Sequence, residues 1–264
     1  MPTFLNKTFS SYFKNLLGVN QTSNTGVDAT TRVVHDGAGN STSISLSDDV
    51  LSVQPVNDNG NTMLVKNQGG SNIFAVDTTN SKLLGGASQT ALNTQYAYFG
   101  VSSTAVIAAV AGTHYAIPFA NLVFNSGHIT LGTGTNPSTS YDVSANNNGD
   151  DLAMMLWYVP DNITIDQVYF LAGGSAASGD TINIHLLSFD IDKGAGAGKG
   201  DLSNGVVIAG GADIASLGYE NVIYQSTAPS SADVDAGKVI VATFESNGTN
   251  SDYGIQISAK YHIR

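Results

Sequence analysis

The chain has 264 residues with a net charge of -11, and only 12% of them are charged, about half the usual share. With 10 basic residues and no cysteine, it has no basic stripe for nucleic acid or anionic lipid, and no disulfides, thiolate metal sites or cysteine nucleophiles. Hydrophobic residues still make up 42%, so the polar Asn, Ser, Thr and Gly residues decorate a packed structure rather than a disordered one.

The first residues lack the basic start, apolar stretch and small-residue cleavage site of a secretion signal, and no run reaches membrane-spanning length. The chain therefore reads as made in a cytoplasm, without membrane insertion. Phe4, Leu5, Phe9, Tyr12, Phe13, Leu16 and Leu17 recur at helical spacing, and the pattern predicts one amphipathic helix stopped by Gly18. Thr3 stands at its N-cap position. A helix this short is marginal alone in water, so its apolar stripe must dock. Three destinations are open: its own chain, a three-copy helix bundle, or a partner protein. Residues 1–19 are thus the expected N-terminal helical anchor.

Asn20 to Gly26 contains no apolar residue and reads as an extended linker. From Val33 to Leu84 short β-runs alternate with glycine and asparagine turns, and the turn chemistry repeats after about thirty residues. Val34-His35-Asp36-Gly37-Ala38-Gly39-Asn40-Ser41 leads into Ile44 and Leu46, and Val65-Lys66-Asn67-Gln68-Gly69-Gly70-Ser71 leads into Ile73, Phe74 and Val76. Two hairpins cannot bury enough apolar surface alone. Residues 20–88 are therefore expected to be a linker and an interlocked hairpin stem completed by other copies of the chain.

Residues 89–264 read as a β-sandwich head. Ile163, Ile165, Val168 and Phe170 alternate apart from one slip at Asp166-Gln167, which predicts a bulge. Ile182, Ile184 and Leu186 face one way and Asn183 and His185 the other, and Tyr253 to Tyr261 alternates strictly. Leu152 to Val159 and Val239 to Phe244 are continuously apolar, as strands covered on both faces are. Thr104 to Ala111 reads as a short helix or a buried strand, and Lys193 to Gly200 as an exposed loop.

No catalytic, cofactor or metal pattern is complete. Gly194 to Lys199 has the wrong spacing for a phosphate loop, and Gly200 stands where that loop needs a hydroxyl. Asp190, Asp192 and Asp201, the Asn146 to Asp151 run and Asp58-Asn59-Gly60 could offer oxygens to calcium, but Asp and Asn in such turns ordinarily serve their own backbone. Histidines 35, 114, 128, 185 and 262 show no ligand spacing. Gly174-Ser175 lacks the second glycine of a nucleophile elbow, and only Glu220 and Glu245 are available as glutamates for glycoside cleavage. Trp157 and exposed tyrosines could stack on sugars, although Leu156-Trp157-Tyr158-Val159 reads as core.

Three stretches together resemble structural proteins of tailed-bacteriophage virions, of the short fibre, spike or head-decoration type. They are Tyr12-Phe13-Lys14-Asn15-Leu16-Leu17-Gly18-Val19-Asn20, Phe74-Ala75-Val76-Asp77-Thr78-Thr79-Asn80, and the closing strands Asp235 to Val241 and Ala259 to Ile263. The resemblance implies a homotrimer on the virion surface, assembled in the host cytoplasm. Its N-terminus would be held by a capsid or tail protein and its β head exposed. The expected fold is mainly β: an N-terminal amphipathic helix, a short interlocked hairpin stem and a C-terminal β-sandwich of jelly-roll type. The expected role is structural and not enzymatic, without a cofactor. The alternative is a receptor-binding or carbohydrate-binding module at a tail tip, facing a host surface glycan.

Overall fold

A computed structural model describes residues 13, 16–21, 26–101, 110–120, 129–146, 149–174, 181–210, 214–215, 221–247 and 253–264. The protein is mainly β, with 54% of residues in strands and 6% helical, and its sheets are antiparallel. It divides into two compact units, Met1–Asn93 and Thr94–Arg264.

The N-terminal unit holds two four-stranded meanders. The first is β1 (Leu17–Val19), β2 (Arg32–Asp36), β3 (Ser41–Leu46) and β4 (Leu51–Val53). The second is β5 (Met63–Lys66), β6 (Asn72–Asp77), β7 (Lys82–Gly85) and β8 (Thr90–Ala91), so pairing in this unit continues past residue 88. The repeated turn motif produces the same loop twice. Asp36 Oδ1 accepts the Asn40 amide at 2.8 Å and Asn67 Oδ1 accepts the Ser71 amide at 2.9 Å. Gly39 (φ 87) and Gly70 (φ 84) supply the left-handed turn each loop needs.

The expected helix lies largely outside the described residues, Phe4, Leu5, Phe9 and Tyr12 among them. Phe13 sits in a 3-10 turn closed by the Leu16 amide on its carbonyl at 3.2 Å. Leu17 is not helical. Leu17, Gly18 and Val19 pair with Asp36, His35 and Val34, because the β2 edge offers this short apolar segment a ladder that a helix end cannot match. Of the expected linker, Asn20, Gln21 and Gly26 are described: the Asn20 amide bonds the Val33 carbonyl at 3.1 Å and the Gly26 amide bonds Gln21 Oε1 at 2.8 Å, while residues 22–25 lie outside the described residues.

The C-terminal unit contains two sheets. One takes the order β17 (Asn221–Thr227), β13 (Ile163–Gly174), β20 (Tyr253–Ile263), β9 (Thr94–Val101), with β18 (Asp233–Val234) on β13. The other takes the order β11 (Thr130–Thr133), β10 (Thr113–Ile117), β19 (Val239–Ser246), β14 (Thr181–Ile191), β15 (Leu202–Gly210), joined by β12 (Trp157–Tyr158) and β16 (Ile214–Ala215). The slip at Asp166 is a bulge: Ile165 pairs with Tyr261 and Gln167 with Lys260.

The two sheets share one core, in which Phe99, Phe170, Ile184, Ile240, Phe244 and Ile257 are buried together. A second core covers the other face of the seven-stranded sheet, where Leu187, Phe189, Val239 and Val241 meet Ile129, Leu131, Leu152 and Met155. That second cover explains the continuous apolar run of β19. It also corrects one expectation. Leu152 and Met155 lie on a short helix, α2 (Gly149–Met155), which follows α1 (Val143–Asn146), since a short apolar run has no period to separate helix from strand. Asn183 and His185 face away from Ile182, Ile184 and Leu186 as expected, and the second cover leaves them 3% and 0% exposed. The 104–111 stretch lies mostly outside the described residues.

Candidate functional site

The surface that most needs a function lies in the N-terminal unit. In the second meander Met63 pairs with Val76, Val65 with Phe74 and Val76 with Leu83, which places these residues on one face. On the other face Leu64 pairs with Ala75 and Ala75 with Leu84. Both faces are apolar, as in a sheet covered twice. Yet Met63, Leu64, Val65, Ile73 and Leu83 are all exposed. The first meander carries a similar apolar ladder, where Ile44 faces Val53 and Leu46 faces Leu51, and Leu51 is 67% exposed. Among the described residues of this unit only Val34 and Ala75 are buried hydrophobics.

Of the expected anchor residues, the structure gathers Phe13, Leu16 and Leu17 at one shallow groove with His35 and Asp36. Phe13 is 49% and Leu17 69% exposed. Phe4, Leu5, Phe9 and Tyr12 lie outside the described residues.

A second surface is the outer face of the sheet β17-β13-β20-β9. Register places Tyr96, Tyr98, Tyr169, Leu171, Val222 and Tyr224 on it. The rings of Tyr96 and Tyr98 lie 6.5 Å apart at 18°. Between these side chains β20 presents Gln256, Ser258 and Lys260, so hydrogen-bonding groups alternate with aromatic faces. Composition announced the tyrosines, but only sheet register shows that they share a face.

The calcium candidates Asp190, Asp192 and Asp201 serve local structure. Asp192 Oδ1 accepts the Gly194 amide at 2.7 Å, Asp201 Oδ1 accepts the Val143 amide at 2.7 Å, and Asp190 accepts Lys238 and Asn204. Those contacts hold the Asp190 carboxyl below its ordinary range, with Lys238 the larger cause. Lys193 to Gly200 forms an exposed turn, apart from the partly covered Gly198 and Gly200. Trp157 is 7% exposed and stacks on Phe119 with ring centroids 6.0 Å apart, so it belongs to the core. His262 Nδ1 lies 3.1 Å from Asp166 Oδ2, a pairing made by the bulge and invisible in the spacing of the two residues. No protein-family profile and no curated protein matches the chain.

Proposed function

We propose that the protein is a non-enzymatic structural component of a tailed-phage particle, a homotrimeric short fibre or capsid decoration protein. The observation that carries this reading is the second meander of the N-terminal unit, hydrophobic on both faces and exposed on both. Burying one such side chain contributes about 1.5–3 kcal/mol, and a single-layer sheet cannot supply that burial from within itself. Sister copies laid against both faces would, and three is the number that the resemblance to phage fibres and decoration proteins implies. Phe4, Leu5, Phe9, Tyr12, Phe13, Leu16 and Leu17 would anchor the assembly to a capsid or tail protein at the virion surface, after assembly in the host cytoplasm.

The head in this reading is jelly-roll-like. The chain crosses between sheets from β9 to β10, β13 to β14 and β19 to β20, while β13 neighbours β20 and β14 neighbours β19. Strands wound in pairs in this way support the assignment.

Light scattering of the full chain tests the assembly. A mass three times the protomer's 27.3 kDa is expected, and a monomer at micromolar concentration would sink the proposal. Removing residues 1–19 should leave an associated head that no longer joins particles.

One observation favours a second reading, in which the head also binds a host glycan. The tyrosine face offers rings for stacking and Gln256, Ser258 and Lys260 for sugar hydroxyls. The chain's acidity selects against acidic glycans. Tyr98→Ala should abolish retention on neutral glycan arrays, and no retention of the unaltered protein on any array would dismiss this reading.

A further inference from the structure

We propose that the open edge of β5 pairs antiparallel with the open edge of β4 in a sister copy, joining the second meander of one chain to the first meander of the next. The pairing rests on the self-assembly proposed above and fixes which edges meet. The two meanders are separate sheets, with β4 at the end of one and β5 at the start of the other. An open edge is a row of unpaired backbone groups, and sheets ordinarily protect it with a charge, a proline or a bulge. Leu51, Ser52 and Val53 of β4 include no charge and no proline, and their ladder to β3 is unbroken. The irregularity between β5 and β6 puts its extra residue, Ile73, on β6, so the β5 edge is straight.

Backbone hydrogen bonds define the free groups. Beside β4 the Ser47 amide bonds the Val50 carbonyl at 2.9 Å and the Gln54 amide bonds the Ser43 carbonyl at 2.8 Å. Antiparallel partners alternate between bonded and unbonded pairs, so Ser52 bonds Ser45, and Leu51 and Val53 turn N–H and C=O outward. On β6 the Ile73 carbonyl accepts the Gly86 amide at 2.9 Å. By the same alternation Ala75 serves β7, while Phe74 and Val76 bond Val65 and Met63 of β5. Leu64 and Lys66 are then the β5 residues that turn outward. Each edge thus offers two residues at the spacing that strand addition uses.

Charge selects the partner and the register. Lys66 is exposed and makes no ion pair among the described residues, and the same holds for Asp48 and Asp49 in the turn that leads into β4. Of the edge strands β1, β4, β5 and β8, only β4 has a carboxylate within two residues along the chain. Setting Leu51 opposite Leu64 brings Lys66 beside Asp49, whereas a slide of two residues sets Lys66 against Leu51. The first register also carries an apolar face through the joint. Leu46 and Leu51 of one copy continue into Leu64, Ala75 and Leu84 of the next. Three such joints close a ring in which neither β4 nor β5 is left open.

The chain has no cysteine, so introduced thiols report this contact directly. Ser52→Cys and Met63→Cys are made in separate full-length chains, refolded together and oxidised. As an unbonded pair their Cα atoms would lie about 4.5 Å apart, within reach of a disulfide. A disulfide joining the two different chains is expected, with no cross-link in either variant alone. Lys66→Glu should raise the concentration for half-assembly by about tenfold, since each joint loses a surface pair and gains a repulsion. Adding Asp49→Lys to the same chain should restore it. Both positions are exposed, so these variants read assembly rather than folding. A threefold mass in light scattering without the mixed disulfide, or with half-assembly unmoved by Lys66→Glu, overturns the edge pairing and leaves the proposed assembly standing. A monomeric mass overturns both.

Discussion

The two units use one building element, antiparallel strands joined by tight turns, and differ in what covers their faces. In the C-terminal unit a sheet lies under one core and over another, so Phe170, Phe189 and Phe244 are excluded from water. In the N-terminal unit the backbone ladders are equally regular, but Leu51, Met63, Val65 and Leu83 remain exposed. Hydrogen bonding alone therefore does not distinguish a sheet whose faces are covered from one whose faces are open. A net backbone hydrogen bond contributes only about 1 kcal/mol, so the two units differ chiefly in side-chain burial.

Truncation on the two sides of that divide gives the largest expected effect. Phe170→Ala should cost about 3–5 kcal/mol, read by chemical denaturation of the head transition. Leu51→Ala should cost under about 0.5 kcal/mol if its face stays bare, but about 2–5 kcal/mol of assembly stability if a sister copy covers it. A negligible effect at Leu51 in the assembled protein would break the comparison.

Glycines sharpen the same contrast. At Gly210 (φ +137) a Cβ would lie 2.4 Å from the Ile184 carbonyl oxygen and 2.7 Å from His185 Cα, whereas at Gly70 (φ +84) it would meet nothing within 4 Å. Gly210→Ala combines overpacking with a forbidden backbone and should cost about 3 kcal/mol or more. Gly70→Ala carries the turn strain alone, about 1–2 kcal/mol. Equal melting shifts for the two variants would show that the C-terminal unit packs no more closely than the N-terminal one.

Much of this contrast was legible in the residues. The twin loops at Asp36 and Asn67 were visible because an acceptor side chain, a glycine and a β-branched flank recur in fixed order. The bulge at Asp166 was visible because it interrupts an otherwise regular alternation. What misled was an apolar segment without a unique period. Leu16 and Leu17 fit a helical stripe, but Leu17 is claimed by the β2 edge, and Leu152 to Met155 read as a covered strand but coils into α2. The His114 and His185 pair left no signal, since only the β10-β19-β14 order brings two distant strands to one place.

That buried pair makes the C-terminal unit, rather than the N-terminal one, the part sensitive to mild acid. Burial first, and then the charge of His114, pushes the His185 pKa down to about 4, and burial also lowers that of His114. An unfolded histidine titrates near 6.5. The unfolded chain thus binds more protons below that pH, so the stability of the C-terminal unit is full above about 6.5 and falls as pH drops toward about 4. At about 1.4 kcal/mol per unit, His185 alone contributes a loss of up to about 3 kcal/mol. Of the other ionisable groups on this face, Glu245 is partly exposed and lies opposite Asn183. A flat denaturation midpoint between pH 7 and 4.5, or an unchanged slope in His185→Gln, would contradict this account.

The smallest effect belongs to an ion pair of the N-terminal unit. Asp28 accepts from the Arg32 guanidinium through both carboxylate oxygens and from the Thr30 amide at 2.9 Å. The Arg32 contact, ahead of the Thr30 amide, holds its pKa at about 2. A depressed carboxylate stabilises above its unfolded pKa near 4 and loses that contribution as pH falls toward 2. The pair is open to solvent, so salt screens it. Asp28→Asn should speed amide exchange at Thr30 and Arg32 with no measurable shift of the head transition. A head that softened with this variant would mean that the two units do not unfold separately.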